Sequence, residues 1–266
     1  MTVLDDLALD TDRARNTIVH FIRDEITKAG YHRALLGLSG GVDSSLACYL
    51  AVEALGVENV LGLLMPYRTS NPSSEADARL VIRVLGIPCR KIPITPMVDA
   101  FFELWPGMNA RRQGNVMARM RMTVLYDQSE EFGGLVLGTS NKTEILLGYF
   151  TLYGDSAAAL RPLASLYKCQ VRQLARAVGV PAHIIVKPPS ADLWADQTDE
   201  GELGFTYDEA DQVLHLAVDR SYEPEDIVRV GFAPDLVNRI LRRIQMTQFK
   251  RSAPPAPTLT GLSTRK

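Results

Sequence analysis

Apolar positions along this chain fall into two kinds of pattern. Continuous apolar runs at 34–38 and 60–65 predict buried strands of a parallel sheet, and 90–94 and 134–138 read as a short third strand and a fourth. Between them the apolar residues take helical spacing. In 13–29 they are Ile18, Phe21, Ile22 and Ile26, and Gly30 supplies the stop. Stretches 46–55, 74–85, 96–104 and 109–132 read as further helices. Strand and helix in alternation predict an α/β class with an open, doubly wound sheet. Beyond the fourth strand come helical patterns at 145–150, 167–178, 206–218, 223–230 and 234–245, which are extra C-terminal helices. Residues 187–204 lack any period, and a long loop placed after the core elements reads as an active-site lid. The Pro-rich stretch 253–266 reads as a mobile tail, so 1–252 is expected to be a single domain.

Composition narrows this picture modestly. A length of 266 residues with 46% hydrophobic content suits one large α/β domain. The net charge of −2 gives no global case for nucleic-acid or membrane binding. No apolar run reaches the length of a membrane span, and the acidic start of the chain lacks a signal-peptide pattern. Cys48, Cys89 and Cys169 are far apart and form no C-x-x-C, which fits a reducing, cytoplasmic setting. One local departure stands out. The helix at 109–132 carries Arg111, Arg112, Arg119 and Arg121 among Met117, Met120 and Met122. It reads either as a solvated face or as an anion site within a Met-rich dimer interface.

The candidate chemistry begins after the first strand, at Ser39-Gly40-Gly41-Val42-Asp43-Ser44. A strand, a glycine turn and a helix bring N–H groups and the helix dipole onto an anion. The string lacks the lysine of a Walker A motif and does not match G-x-G-x-x-G. It also places an acid, Asp43, where polyphosphate would sit. A carboxylate tolerates that neighbour when a cation lies between them, which implies Mg²⁺. A second strand-to-helix turn follows the fourth strand and carries Thr139, Asn141 and Glu144. Two readings stand for Glu144. Its spacing from Asn141 is that of a capping box, and it is also placed to be a second metal carboxylate.

Four stretches resemble one family. They are Ser39–Ser44, then Gly138–Thr151, which begins Gly138-Thr139-Ser140-Asn141-Lys142-Thr143-Glu144, then Leu166–Ala175, which begins Leu166-Tyr167-Lys168-Cys169-Gln170-Val171, then Lys187–Glu200, which begins Lys187-Pro188-Pro189-Ser190. The first is similar to the pyrophosphatase loop of the N-type ATP pyrophosphatases. All four, in this order and over nearly the whole chain, resemble the NAD synthetases. The resemblance implies a Rossmann-like sheet of the adenine nucleotide alpha-hydrolase type. It implies that deamido-NAD, ATP and ammonia give NAD, AMP and pyrophosphate through an adenylated carboxylate, in a cytoplasmic homodimer. It implies that Gly37, Leu38, Ser39, Gly40, Gly41, Val42, Asp43 and Ser44 cradle ATP, with Thr139, Lys168 and Ser190 also contacting it. Asp43 and Glu144 would bind Mg²⁺, and Arg119 and Lys250 would contact deamido-NAD. Ser39, Asp43 and Asp155 would be catalytic, Asp155 by orienting or deprotonating ammonium.

The chain departs from that pattern at one segment. Leu152 and Ala159 stand where many members have a lysine and an aspartate, and Phe249 precedes Lys250 in place of a histidine. Arg161 is a candidate for a compensating cation. The synthetase motifs fill the sequence and leave no room for an amidase domain, so free ammonia, or ammonia delivered by a separate protein, is expected as the nitrogen source. Two competing readings remain. One is another enzyme of the same superfamily, adenylating a different carboxylate or a tRNA base. The other is a nucleotide-binding module without catalysis.

Overall fold

The computed structural model describes residues 3–190, 192–194 and 197–258. Its centre is a four-stranded, all-parallel sheet in the order β3-β2-β1-β4, built from β1 (Ala34–Gly37), β2 (Val60–Leu64), β3 (Cys89–Lys91) and β4 (Leu135–Val136). The side chains of β1 and β2 alternate between the two faces of the sheet. Ala34, Leu36, Leu38, Val60 and Leu64 face one way. There they meet the helices α1 (Thr11–Lys28), α2 (Val42–Leu55) and α3 (Pro72–Leu85). Leu35, Leu61, Leu63 and Met65 face the other way, against α4 (Thr95–Leu104) and α5 (Ala110–Phe132). Both faces are therefore covered, which is why the strands read as unbroken apolar runs.

The rest of the chain forms a second body of helices. These are α6 (Lys142–Leu147), α7 (Lys168–Ala177), α8 (Tyr207–Leu214), α9 (Pro224–Val230) and α10 (Pro234–Met246). Leu147, Tyr167, Tyr207, Val213, Ile227, Val237 and Ile240 make a separate core among them. Helix α7 belongs to both bodies, since its Val171 and Leu174 pack with the sheet cluster. No helix among the described residues is long and apolar enough to cross a membrane.

Several boundaries differ from those read in the sequence. The third strand is Cys89–Lys91 rather than 90–94. Beyond Lys91, Ile92 N still donates to Leu64 O and Ile94 N to Pro66 O, while Pro93 between them faces the open edge of the sheet, where it interrupts no bond to β2. Helix α2 begins at Val42, four residues earlier than expected. Ser45 N donates to Gly41 O at 3.1 Å, and the Ser44 and Ser45 hydroxyls donate to the same carbonyl, so the first turn closes inside the serine-rich string. The stretch 206–218 is not one α-helix. After Leu214 it widens into a π-turn, His215–Asp219. Within 187–204, the residues Asp199–Leu203 form a short helix. Of the expected tail, 253–258 have no regular secondary structure and 259–266 lie outside the described residues.

Leu36 on the central strand is fully buried in the sheet cluster. Leu36→Ala leaves a cavity there, and urea titration should show unfolding free energy reduced by about 2–5 kcal/mol.

Candidate active site

Because the sheet is parallel, the carboxyl ends of its strands share one edge, and a cleft opens there. Its volume of about 2280 Å³ exceeds the ~300–1,000 Å³ of a pocket for one small molecule. The space suits two nucleotide-sized substrates. The phosphate-loop residues Gly37, Leu38, Ser39, Gly41, Val42, Asp43 and Ser44 line it. Gly40 stands behind them at φ +77°, and a Cβ there would run into the Ser74 carbonyl. Gly41 caps α2 with no side chain, so N–H groups at that terminus stay available for an anion. Ser39 and Ser44 hold the loop's shape. Their hydroxyls lie 3.1 Å apart, and Gly41 N donates to the Ser39 hydroxyl at 3.3 Å.

Asp43 extends from the first turn of α2 to the starts of two other helices. Asn141 Nδ2 donates to one of its oxygens at 2.8 Å, and Lys168 Nζ to the other at 2.5 Å. The same ammonium donates to Glu144 Oε1 at 3.3 Å and lies 4.9 Å from the centre of the Tyr207 ring. Glu144 forms the cap that its spacing predicted. Its N–H donates to Asn141 Oδ1 at 3.0 Å, and its Oε2 accepts from Asn141 N at 3.3 Å, which completes a capping box. Its other oxygen faces Lys168 and the cleft. This cap also explains why α6 starts at Lys142 rather than at 145.

The electrostatics of this group are those of charges held away from water. Burial raises the Glu144 carboxyl above its ordinary pKa, with Lys168 opposing the shift and Asp43 adding to it. Burial works against the Lys168 ammonium, yet Asp43 and Glu144 hold its pKa above the usual lysine value. Asp43 and Glu144 are hard oxygen donors suited to Mg²⁺, which commonly binds through one or two carboxylates together with substrate phosphates. The described residues contain no cluster of three or more His, Cys, Asp or Glu that could hold a metal alone. A two-carboxylate site completed by nucleotide fits that donor set.

The other expected residues line the same cleft but bond elsewhere. Thr139 stands at the end of β4. Asp155 Oδ1 accepts from Thr151 N at 2.8 Å, and enclosure by protein atoms raises its carboxyl pKa although solvent still reaches the residue. Arg119 donates through Nε and Nη2 to Leu152 O, each at 3.3 Å. Lys250 donates to Gly148 O at 2.8 Å and to Phe150 O at 2.7 Å. With Arg243 Nε on Leu147 O and Arg251 Nη1 on Leu146 O, it satisfies the carbonyls at the end of α6. Ser190 accepts from Asp192 N at 3.1 Å. The described part of 187–204 forms a wall of the cleft. Lys187 reaches Asp77 across it at 2.7 Å, and Asp192 accepts from Asn71 N at 3.0 Å. Residues 191, 195 and 196 of that stretch lie outside the described residues.

Arg161 is not placed as a compensating cation. Its Nη2 donates to Ser156 O at 2.7 Å, and neither it nor Ala159 lines the cleft, whereas Leu152 does. The basic helix is neither wholly solvated nor wholly an anion site. Arg111, Arg119 and Arg121 line the cleft, while Met117 packs into the sheet core. Five further residues belong to the site. Asn141 orients Asp43, and Asp199, held by the hydroxyls of Tyr149 and Tyr207, adds negative charge near Lys168. Arg121 donates to Met65 O at the end of β2. Asn141 carried a signal in the sequence through its capping-box spacing, and Arg121 through its place on the basic helix; Asp199, Tyr149 and Tyr207 carried none.

The comparisons with known proteins bear on this geometry. The family model described as NAD synthase matches residues 14–254. The chain belongs to the NAD synthase family. It is 55% identical over 255 residues to an NH(3)-dependent NAD(+) synthetase of Trichlorobacter lovleyi, covering 96% of this chain and 93% of that protein. Among solved structures, the NMN synthetase from Francisella tularensis superposes with a TM-score of 0.84 at 31% identity, covering 94% of this chain and 99% of that one. The NH3-dependent NAD synthetase from Campylobacter jejuni, in complex with nitrate, superposes with a TM-score of 0.81 at 32% identity, covering 94% of this chain and 100% of that one. The parallel sheet and its cleft are thus those of NAD synthases.

In Gly40→Ala the side chain meets both the left-handed backbone and the Ser74 carbonyl. A strain of about 1–2 kcal/mol in the loop should weaken ATP binding roughly tenfold, as read by isothermal titration.

Proposed function

We propose that this protein is an ammonia-dependent NAD synthetase, which converts deamido-NAD, ATP and ammonia to NAD, AMP and pyrophosphate. The observation that carries the reading is Lys168 in contact with both Asp43 and Glu144 at the mouth of the phosphate loop. A generic nucleotide-binding module has little use for two carboxylates beside a polyphosphate. An enzyme that splits ATP between its α and β phosphates needs charge there in balance.

The loop 37–44, with Thr139, Lys168 and Ser190, holds ATP. Asp43 and Glu144 would hold Mg²⁺, which would neutralise charge on the phosphates. Arg119 and Lys250 orient deamido-NAD, so that its nicotinate carboxylate attacks the α-phosphorus and pyrophosphate leaves. The carboxylate becomes a mixed anhydride with AMP. Asp155, with its raised pKa, takes a proton from ammonium. Ammonia then attacks the anhydride carbonyl and AMP departs. The wall formed by the described part of 187–204 keeps water from the anhydride. Positioning supplies more of the rate than covalent chemistry by the protein.

One observation favours a second acceptor. The likeness to an NMN synthetase, with apolar Leu152 on the cleft wall, is compatible with amidation of nicotinate mononucleotide. Pyrophosphate release is measured with ATP, Mg²⁺ and ammonium against deamido-NAD, nicotinate mononucleotide and unrelated acids. Deamido-NAD should be the preferred acceptor; preference for the mononucleotide would favour the second reading. No pyrophosphate with any acid would sink every enzymatic reading. Asp43→Asn should abolish turnover while circular dichroism stays unchanged.

Three further elements of the proposal concern its setting. We take 1–252 as a single domain followed by the tail 253–266. The free thiols of Cys48, Cys89 and Cys169 support a cytoplasmic location. A homodimer would pair along α4 and α5, where Leu104 and Trp105 are 69% and 57% exposed. Light scattering should give twice the 29.4 kDa chain mass, and Leu104→Glu with Trp105→Glu should shift it towards the monomer.

A further inference from the structure

Helices α6 and α7 carry Glu144 and Lys168, and neither touches the sheet through those side chains. What aligns the two helix starts is a buried carboxylate from a third helix. Asp211 of α8 is fully buried. Its Oδ1 accepts from the Thr143 hydroxyl at 2.5 Å, and its Oδ2 accepts from Cys169 N at 2.7 Å. The Thr143 hydroxyl in turn accepts from Lys168 N at 3.0 Å. The main chain adds a parallel tie, Lys142 N to Leu166 O at 2.8 Å.

These bonds have a common logic. Helix α7 begins at Lys168 behind Tyr167, a residue with no short polar side chain to accept from the first N–H groups. Asp211 supplies that acceptor from another helix. It takes the Cys169 N–H directly and the Lys168 N–H through Thr143. Its negative charge also faces the positive end of the α7 dipole. Burial raises the Asp211 carboxyl pKa, and the bonds from Thr143 and Cys169 oppose that shift. Thr143 immediately precedes Glu144, and Cys169 immediately follows Lys168. The carboxylate therefore clamps the residues adjoining both active-site side chains. Asp211 and Thr143 do not line the cleft, so neither touches substrate.

We infer that Asp211 is a positioning residue, which acts through Thr143 and the start of α7 to hold Glu144 and Lys168 at the spacing that metal and ATP require. The inference rests on the metal role proposed for Asp43 and Glu144. Partners of metal-ligating carboxylates commonly contribute about 10- to 100-fold to metal affinity or activity.

The test uses the full chain and Mn²⁺ as a spectroscopic probe, with a non-hydrolysable ATP analogue. Electron paramagnetic resonance gives the half-saturating Mn²⁺ concentration, steady-state assays give kcat and KM for ATP, and calorimetry gives Tm. D211N should weaken Mn²⁺ binding about 10- to 100-fold and lower kcat/KM for ATP, at temperatures where the variant remains folded. T143V should do the same, and T143S, which keeps the hydroxyl, should recover most of the loss. D211N with T143V should be no worse than the more severe single change, because both cut one path. Should D211N fail to fold, the T143V and T143S pair decides. Folded D211N or T143V that binds Mn²⁺ like the unmodified protein overturns the inference, as does a double variant whose losses multiply. An unmodified protein that binds no Mn²⁺ with the nucleotide analogue removes the metal reading itself, and the inference with it.

Discussion

Two carboxylates lie close together at the mouth of the phosphate loop, and one ammonium is bonded to both. Asp43 and Glu144 would repel in a partly desolvated setting, and Lys168 between them, itself 2% exposed, offsets the repulsion. The arrangement gains from completeness rather than from any single pair. Removing Lys168 leaves two carboxylates facing each other without a cation, which costs far more than a surface ion pair contributes. The three side chains come from the starts of α2, α6 and α7, so the charge balance holds only while three helices keep their relative positions.

The parallel sheet provides most of that positioning. Every strand runs in the same direction, so the loops after β1, β2 and β4 emerge at one edge. Asp43 follows β1, the Met65–Asn71 wall follows β2, and Thr139 to Glu144 follow β4. The C-terminal helical body completes the enclosure from the other side. Tyr207 places its ring against Lys168, Asp211 ties α6 to α7, and Lys250 and Arg243 cover the end carbonyls of α6. The long basic helix splits its residues between the two tasks: Met117 and Met120 pack on the sheet, while Met122 and three of its arginines line the cleft.

The segment after α6 differs in kind. Asp155 and Arg119 are held by backbone groups of Thr151 and Leu152, not by the charge cluster. Leu152 presents an apolar side chain to the cleft, and Arg161 turns its guanidinium to the Ser156 carbonyl. This part of the wall is thus held separately from the phosphate end.

The sequence by itself determined the parallel sheet, apart from the bounds of its third strand, and the glycine loop. Continuous apolar runs report burial on both faces, and the string from Ser39 to Ser44 is local, so its geometry follows from neighbours in the chain. Glu144 was legible for the same reason, since its cap on Asn141 spans three residues. The third strand was misplaced at its end because 90–94 is apolar only at Ile92, Pro93 and Ile94 and lies at the sheet's edge, where burial leaves a weaker pattern. The tertiary structure alone decided that Lys168 meets Asp43, 125 residues away. It also decided that Asn141 orients Asp43, that tyrosines flank Asp199, and that Asp211 joins two helix starts. Each of these bonds links segments distant in sequence, and no local periodicity or turn chemistry encodes such a meeting. It follows from how the helical layers pack over the sheet edge.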